Sequence, residues 1–139
     1  MYSKIMVPVD LEHPDGSGRA LEVAADLGRH YGADVVYVAV TSSAPGPLGH
    51  TPDEKTARLQ AFADTQGTEH GLAVAAHLAL SHDPASDLDK ALIAAIRDTG
   101  ADLVVMASHM PGWADFLTGS HGGWLASHAH SSVMVVRDV

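Results

Sequence analysis

"RALEVAADLGRHYGADVVYVAV", residues Arg19 to Val40, is the stretch whose reading decides the fold. Its first half sets Ala20, Val23, Ala24, Leu27 and Tyr31 three and four residues apart, the single apolar stripe of an amphipathic helix. Gly32 stands where such a helix stops. The second half, Asp34 to Val40, is a continuous apolar run rather than an alternating one, which suits a strand buried on both faces, as in a parallel sheet covered by helices. A helix passing through a glycine into such a strand is one half of a βαβ unit.

The same two patterns recur on either side. "KIMVPV" (Lys4 to Val9), "DLVVM" (Asp102 to Met106) and "SVMVVR" (Ser132 to Arg137) are further continuous runs, while the Ala-rich "AVAAHLAL" (Ala73 to Leu80) suits an edge strand. In "SDLDKALIAAIRDTG" the residues Leu88, Ala91, Leu92, Ala95 and Ile96 draw another stripe, ended by Gly100. "TPDEKTARLQAFADTQGTEHG" opens with Thr51 as N-cap, Pro52 at the first helical position and Glu54 completing a capping box, and predicts a helix to about Thr68. "HGGWLASHAH" (His121 to His130) has the length of a fourth helix, with Gly122 and Gly123 lowering its propensity. Alternating elements at this spacing predict one doubly wound α/β domain over residues 1–139, with five parallel strands and four helices; the expected strand order is 3-2-1-4-5.

Composition narrows the function. The formal charge is −9 and the eight Lys and Arg are scattered, so no basic stripe is present to neutralise a run of phosphates and nucleic acid is not an expected partner. The chain has no cysteine, which excludes disulfides and thiolate metal sites. "MYSKIMVPVD" does not read as a signal peptide, and no segment approaches the roughly 20 apolar residues of a membrane span. The expectation is a cytoplasmic protein without membrane insertion.

Ligands of open α/β sheets lie beyond the carboxyl ends of the strands, where the winding reverses. There the first strand delivers Asp10, and the fourth delivers "MASHMPGWADFLTGSHGG" from Met106 onward. Asp10 reads equally well as a hydrogen-bond acceptor for a ligand and as a turn residue for "LEHPDGSG". Gly119 and Ser120 precede the fourth helical stretch, where free backbone N–H groups form an anion site and a glycine permits close approach. Neither a G-x-x-x-x-G-K-[ST] phosphate loop nor a G-x-G-x-x-G fingerprint is present. His128 and His130 read as surface histidines, and His109 and His121 as crevice residues. No nucleophile with a triad context is apparent, so nothing demands an enzyme.

"KIMVPVD", "ALEVAADLGRHYGADVVYVAV", "ADLVVMASH", the "GS" pair and the closing "SSVMVVR" together resemble the universal stress protein family along the whole chain. The nucleotide-binding branch of that family carries G-x-x-G, nine residues, then G-[ST]. Here Ala107 and Met110 stand at the two glycines, eight residues separate Met110 from Gly119, and Gly112 is placed to do the displaced glycine's work. The resemblance implies that Pro8, Val9 and Asp10 flank an adenine, closed on its other side by Val40. It implies that Met106, Ala107, His109 and Gly112 border the ribose and phosphates, and that Gly119, Ser120 and His121 hold the phosphates. The implied ligand is ATP, with ADP or AMP as variants, held with Mg or Mn through the phosphates and without side-chain metal ligands. The implied assembly is a homodimer through Ser132 to Val136, reporting nucleotide state to an unidentified protein partner. Two other readings stay open: a dimeric interaction module that has lost nucleotide binding, and a weak ATP-hydrolysing enzyme.

Overall fold

The computed structural model describes residues 1–13, 18–84, 86–108 and 130–137. Five strands, β1 (Lys4–Pro8), β2 (Asp34–Thr41), β3 (Val74–Leu80), β4 (Leu103–Ala107) and β5 (Ser132–Val136), alternate with the helices α1 (Gly18–Tyr31), α2 (Pro52–His70) and α3 (Leu88–Thr99). The strands form one sheet in the order β3-β2-β1-β4-β5, every pairing parallel. Fold class and strand order are those read from the sequence. Three of the four expected helices are described; the fourth, like His128, lies outside the described residues.

The continuous runs are buried for the expected reason. Ile5, Met6, Val7, Val35, Val38, Val104, Val105 and Met106 are all without solvent exposure, because helices cover both faces of the central strands. A Cβ on Gly28 of α1 would meet Val35, and Tyr37 packs edge-on against Phe62 of α2 with ring centroids 5.5 Å apart. Residues 35 and 37 of one strand point to one face, so α1 and α2 share it. After β3 the chain crosses back to β4, and a right-handed crossover in that direction puts α3 on the other face.

Three local readings are refined. The side of α1 most deeply buried is Ala20, Leu21, Ala24, Ala25 and Gly28, with Val23, Leu27 and Tyr31 partly buried against the same core; the helix is rolled toward Leu21 because glycine at 28 lets it approach β2 closely. At α2 the Thr51 hydroxyl accepts the Glu54 N–H at 3.1 Å, as an N-cap should. The Glu54 carboxylate, however, accepts from His50 N–H at 2.6 Å, one residue outside the reciprocal bond of a capping box. Finally, α2 continues to His70, where Gly71 takes the left-handed conformation at φ 66° and donates to Gly67 O.

Candidate functional site

The site begins with a proline. Asp102 N–H donates to Lys4 O, so the even-numbered residues of β1 face β4, and Pro8 is on that side without an N–H to give. The β1–β4 register accordingly comprises Ile5 with Leu103 and Met6 with Val104 only, whereas β4 remains paired to β5 through Ala107 and Val136. The sheet opens at the winding reversal because the sequence withholds a donor there.

The other side of β1 ends one residue later. Val9 N–H donates to Val38 O at 2.8 Å, and no described backbone bond continues that ladder. Val40 lies two residues beyond Val38, so its N–H and C=O point to the same side of β2, past the end of β1. They face a cavity of about 340 Å³ lined by Val9, Asp10, Val40, Thr41, Ser42 and Lys55, with further wall from the loop after β2. That volume falls at the lower end of the roughly 300–1,000 Å³ usual for small-molecule sites.

Asp10 holds the turn, as one of its two sequence readings expects, and it also lies at the cavity. One carboxylate oxygen accepts the Glu12 N–H and the other lies 3.1 Å from His13 Nδ1, which fixes the turn, and the residue also lines the cavity. Asp10, Glu12 and His13 bring three potential metal-ligand atoms within 4.8 Å of one another, a grouping that the sequence reading, which assigned no side-chain metal ligand, did not foresee. Glu12 and His13 are exposed.

Of the sequence-derived site residues, Val9, Asp10 and Val40 come together at this cavity. Pro8, Met106 and Ala107 lie buried at the ends of β1 and β4, outside the described lining of the cavity. His109, Gly112, Gly119, Ser120 and His121 lie outside the described residues.

Lys55 is the residue that sequence reasoning missed. It is 2 % exposed, whereas Lys4 is half-buried and Lys90 exposed, and a lysine is seldom buried outright. Its ammonium donates to Ser42 O at 2.6 Å, Ala44 O at 2.7 Å and Thr41 Oγ1 at 3.4 Å. The available signal was its place on the buried stripe of α2, four residues before Leu59 and eight before Ala63.

Comparison with known proteins places this geometry. The model of the universal stress protein family matches residues 1–137. No curated protein sequence matches the chain. Among solved structures, a protein from the universal stress protein family of Burkholderia pseudomallei superposes with a TM-score of 0.65 at 27% identity, over 97% of this chain and 96% of that one. A universal stress protein in complex with cAMP gives a TM-score of 0.69 at 18% identity, over 97% of each chain. The universal stress protein of Archaeoglobus fulgidus in complex with dAMP gives 0.65 at 19% identity, over 96% of this chain and 97% of that one.

Proposed function

The chain belongs to the universal stress protein family, and from that premise we propose that it binds an adenine nucleotide with its base in the cavity between the carboxyl ends of β1 and β2. One observation carries this reading: Val40 lines the cavity two residues past Val38, where the last β1–β2 bond is made, and strand alternation turns its N–H and C=O to that side. A donor and an acceptor on the same side of one residue match the N1 acceptor and the amino donor of adenine. Hypoxanthine and guanine present the reverse order. Val9 and the loop after β2 supply apolar wall for the ring faces. The cAMP and dAMP complexes of the fold neighbours support the same ligand class.

The finer proposal is ATP, with a magnesium or manganese ion carried by its phosphates. That half rests on the sequence, on Gly112, Gly119, Ser120, His109 and His121. We take the protein to act in the cytoplasm as a dimeric regulator rather than as an enzyme, its nucleotide state read by a protein partner. The dimer is assigned to β5, an edge strand that exposes 39 % of Met134 and 43 % of Val135. Turnover of ATP is a separate reading that a phosphate-release assay decides.

The test is a thermal-shift titration with ATP, ADP, AMP and ITP, with and without magnesium or manganese. A ligand at 100 times its dissociation constant stabilises the native state by about 2.7 kcal/mol. The expected result is a shift with adenine nucleotides, little with ITP, and a magnesium-dependent increment for ATP that Gly119→Val removes. No shift with any adenine nucleotide refutes the proposal. Light scattering on the wild type and on Met134→Glu tests the dimer, with a monomeric variant expected.

A further inference from the structure

We propose that Lys55 is the positioning residue of the base subsite: its buried ammonium pins the end of β2 and so holds the Val40 backbone in the register that distinguishes adenine from a 6-oxopurine. The inference rests on the nucleotide reading above and names the residue that gives the site its selectivity.

The placement of the charge is the first argument. Removing an ammonium from water costs several kcal/mol even after the protein relaxes, and the cost is offset only where its protons are well accepted. Lys55 meets that cost with two short bonds to carbonyls and a longer one to a hydroxyl, and none of these three acceptors is a carboxylate. All three acceptors belong to Thr41, Ser42 and Ala44, and all three of those residues line the cavity. The ammonium therefore spends its whole donor capacity on the segment that starts one residue after Val40.

The second argument is what else holds that segment. Ser81 N–H donates to Thr41 O at 2.9 Å, fixing the β3 side of β2. On the β1 side the ladder has ended at Val38, and no backbone bond among the described residues restrains Val40 there. Further along, Arg58 donates to Pro47 O and Glu54 accepts from His50 N–H, both at exposed positions. Lys55 is the buried fastener between them, and among the described lining residues it is also the one cation. With it in place the base meets a fixed donor and acceptor. Without it the strand end can turn its peptide groups to suit either purine edge.

A residue that merely stabilises the fold would weaken all nucleotides together when removed. A positioning residue changes their ratio. Lys55→Met keeps the length and packing of the stem and removes every donor. The experiment compares ATP and ITP dissociation constants for the wild type and this variant, and follows amide hydrogen exchange of residues 41–50 in the same samples. In the variant, we expect the ATP preference over ITP to fall by about tenfold, the equivalent of one well-made hydrogen-bond pair, exchange in 41–50 to accelerate, and exchange in β1 and β4 to stay as in the wild type. An unchanged ATP-to-ITP ratio overturns the proposal, and so does uniform weakening of both ligands. Failure of the wild type to bind ATP at all refutes the nucleotide reading instead, and is seen before any variant is made. If Lys55→Met does not fold, Lys55→Gln is used: its amide carries two donors on a side chain one atom shorter and reaches one carbonyl. An intermediate ratio supports the clamp, and a ratio equal to the wild type's overturns it.

Discussion

The two ends of the sheet are built from the same five strands and treated in opposite ways. At the amino end the strands are sewn together across the switch point. The Asp102 carboxylate accepts the Ser3 and Lys4 N–H groups at 2.9 and 3.1 Å, the Tyr2 hydroxyl donates to Ser132 Oγ at 3.0 Å, and Ser131 Oγ donates to Ala101 O at 2.6 Å. At the carboxyl end the β1–β4 register stops after Met6 and the β1–β2 ladder ends at Val38. A parallel sheet whose strands were tied at both ends would have no room for a ligand at the reversal. Closing one end firmly is what allows the other to stay open while its donors and acceptors remain in fixed places.

Removing the stitch should have the largest effect. Asp102→Ala leaves two backbone donors without their acceptor, and hydrogen bonds to a charged group contribute about 1.5–3 kcal/mol each. The expected loss is about 3 kcal/mol in a urea titration. The comparison breaks if the folded fraction of the variant also loses ATP affinity, since the amino end would then be controlling the site rather than only supporting it.

Between the two ends lies Tyr37, buried with its hydroxyl unpartnered among the described residues. Burial pushes its phenol up from 10.0 to about 12. The folded state therefore holds this proton where the unfolded chain has released it. The contribution is fully present below pH 10 and lost as pH rises from 10 toward 12. At about 1.4 kcal/mol per unit the loss amounts to about 2–3 kcal/mol. Tyr37→Phe should flatten the alkaline limb of a stability-against-pH curve and leave neutral-pH stability equal or higher, because it removes a hydroxyl whose burial is uncompensated. A variant that still loses stability over the same interval would assign the limb to another group.

Gly67 sets how closely the last turns of α2 approach the start of β3, at the end of the helix away from the cavity. A Cβ there would stand 2.9 Å from a methyl of Val74 and 3.2 Å from Leu72 O, so Gly67→Ala must push α2 outward. Overpacking of this kind costs about 1–3 kcal/mol, partly returned by the better helix propensity of alanine. A net loss of about 1 kcal/mol with unchanged ATP-to-ITP preference would show that the wall tolerates a shift of the whole helix. A changed preference would mean that Lys55 transmits the displacement to Val40.

The fold was legible because its evidence is redundant. Continuous apolar runs, glycine-ended stripes and the Thr51-Pro52 start each point to the same alternation, and no single residue carries it. The site was legible only in part. Asp10 was read from its place directly after a buried strand, whereas Val9 and Val40 came from the family resemblance. Lys55 was not found because a lysine near the start of a helix reads as a solvated residue, and its acceptors are backbone carbonyls that carry no side-chain signature. The opening after Met6 was hidden for a related reason: it depends on which side of β1 Pro8 faces, a phase that only the register reveals. The Asp10, Glu12 and His13 grouping likewise forms only when the turn is folded.

The smallest effect should come from the exposed fastener of the same wall. Arg58 donates to Pro47 O at 3.1 Å from an exposed position, where water competes for both groups and a lost bond is largely replaced. Arg58→Ala should cost about 0.5 kcal/mol or less and leave the ATP-to-ITP ratio as it is. Lys55 and Arg58 attach the same loop to the same helix, one turn apart, and differ chiefly in access to water. If the two substitutions changed the ratio equally, the number of attachments would be what matters. If only Lys55→Met changes it, the open end of the sheet owes its fixed geometry to one desolvated ammonium placed one residue beyond Val40.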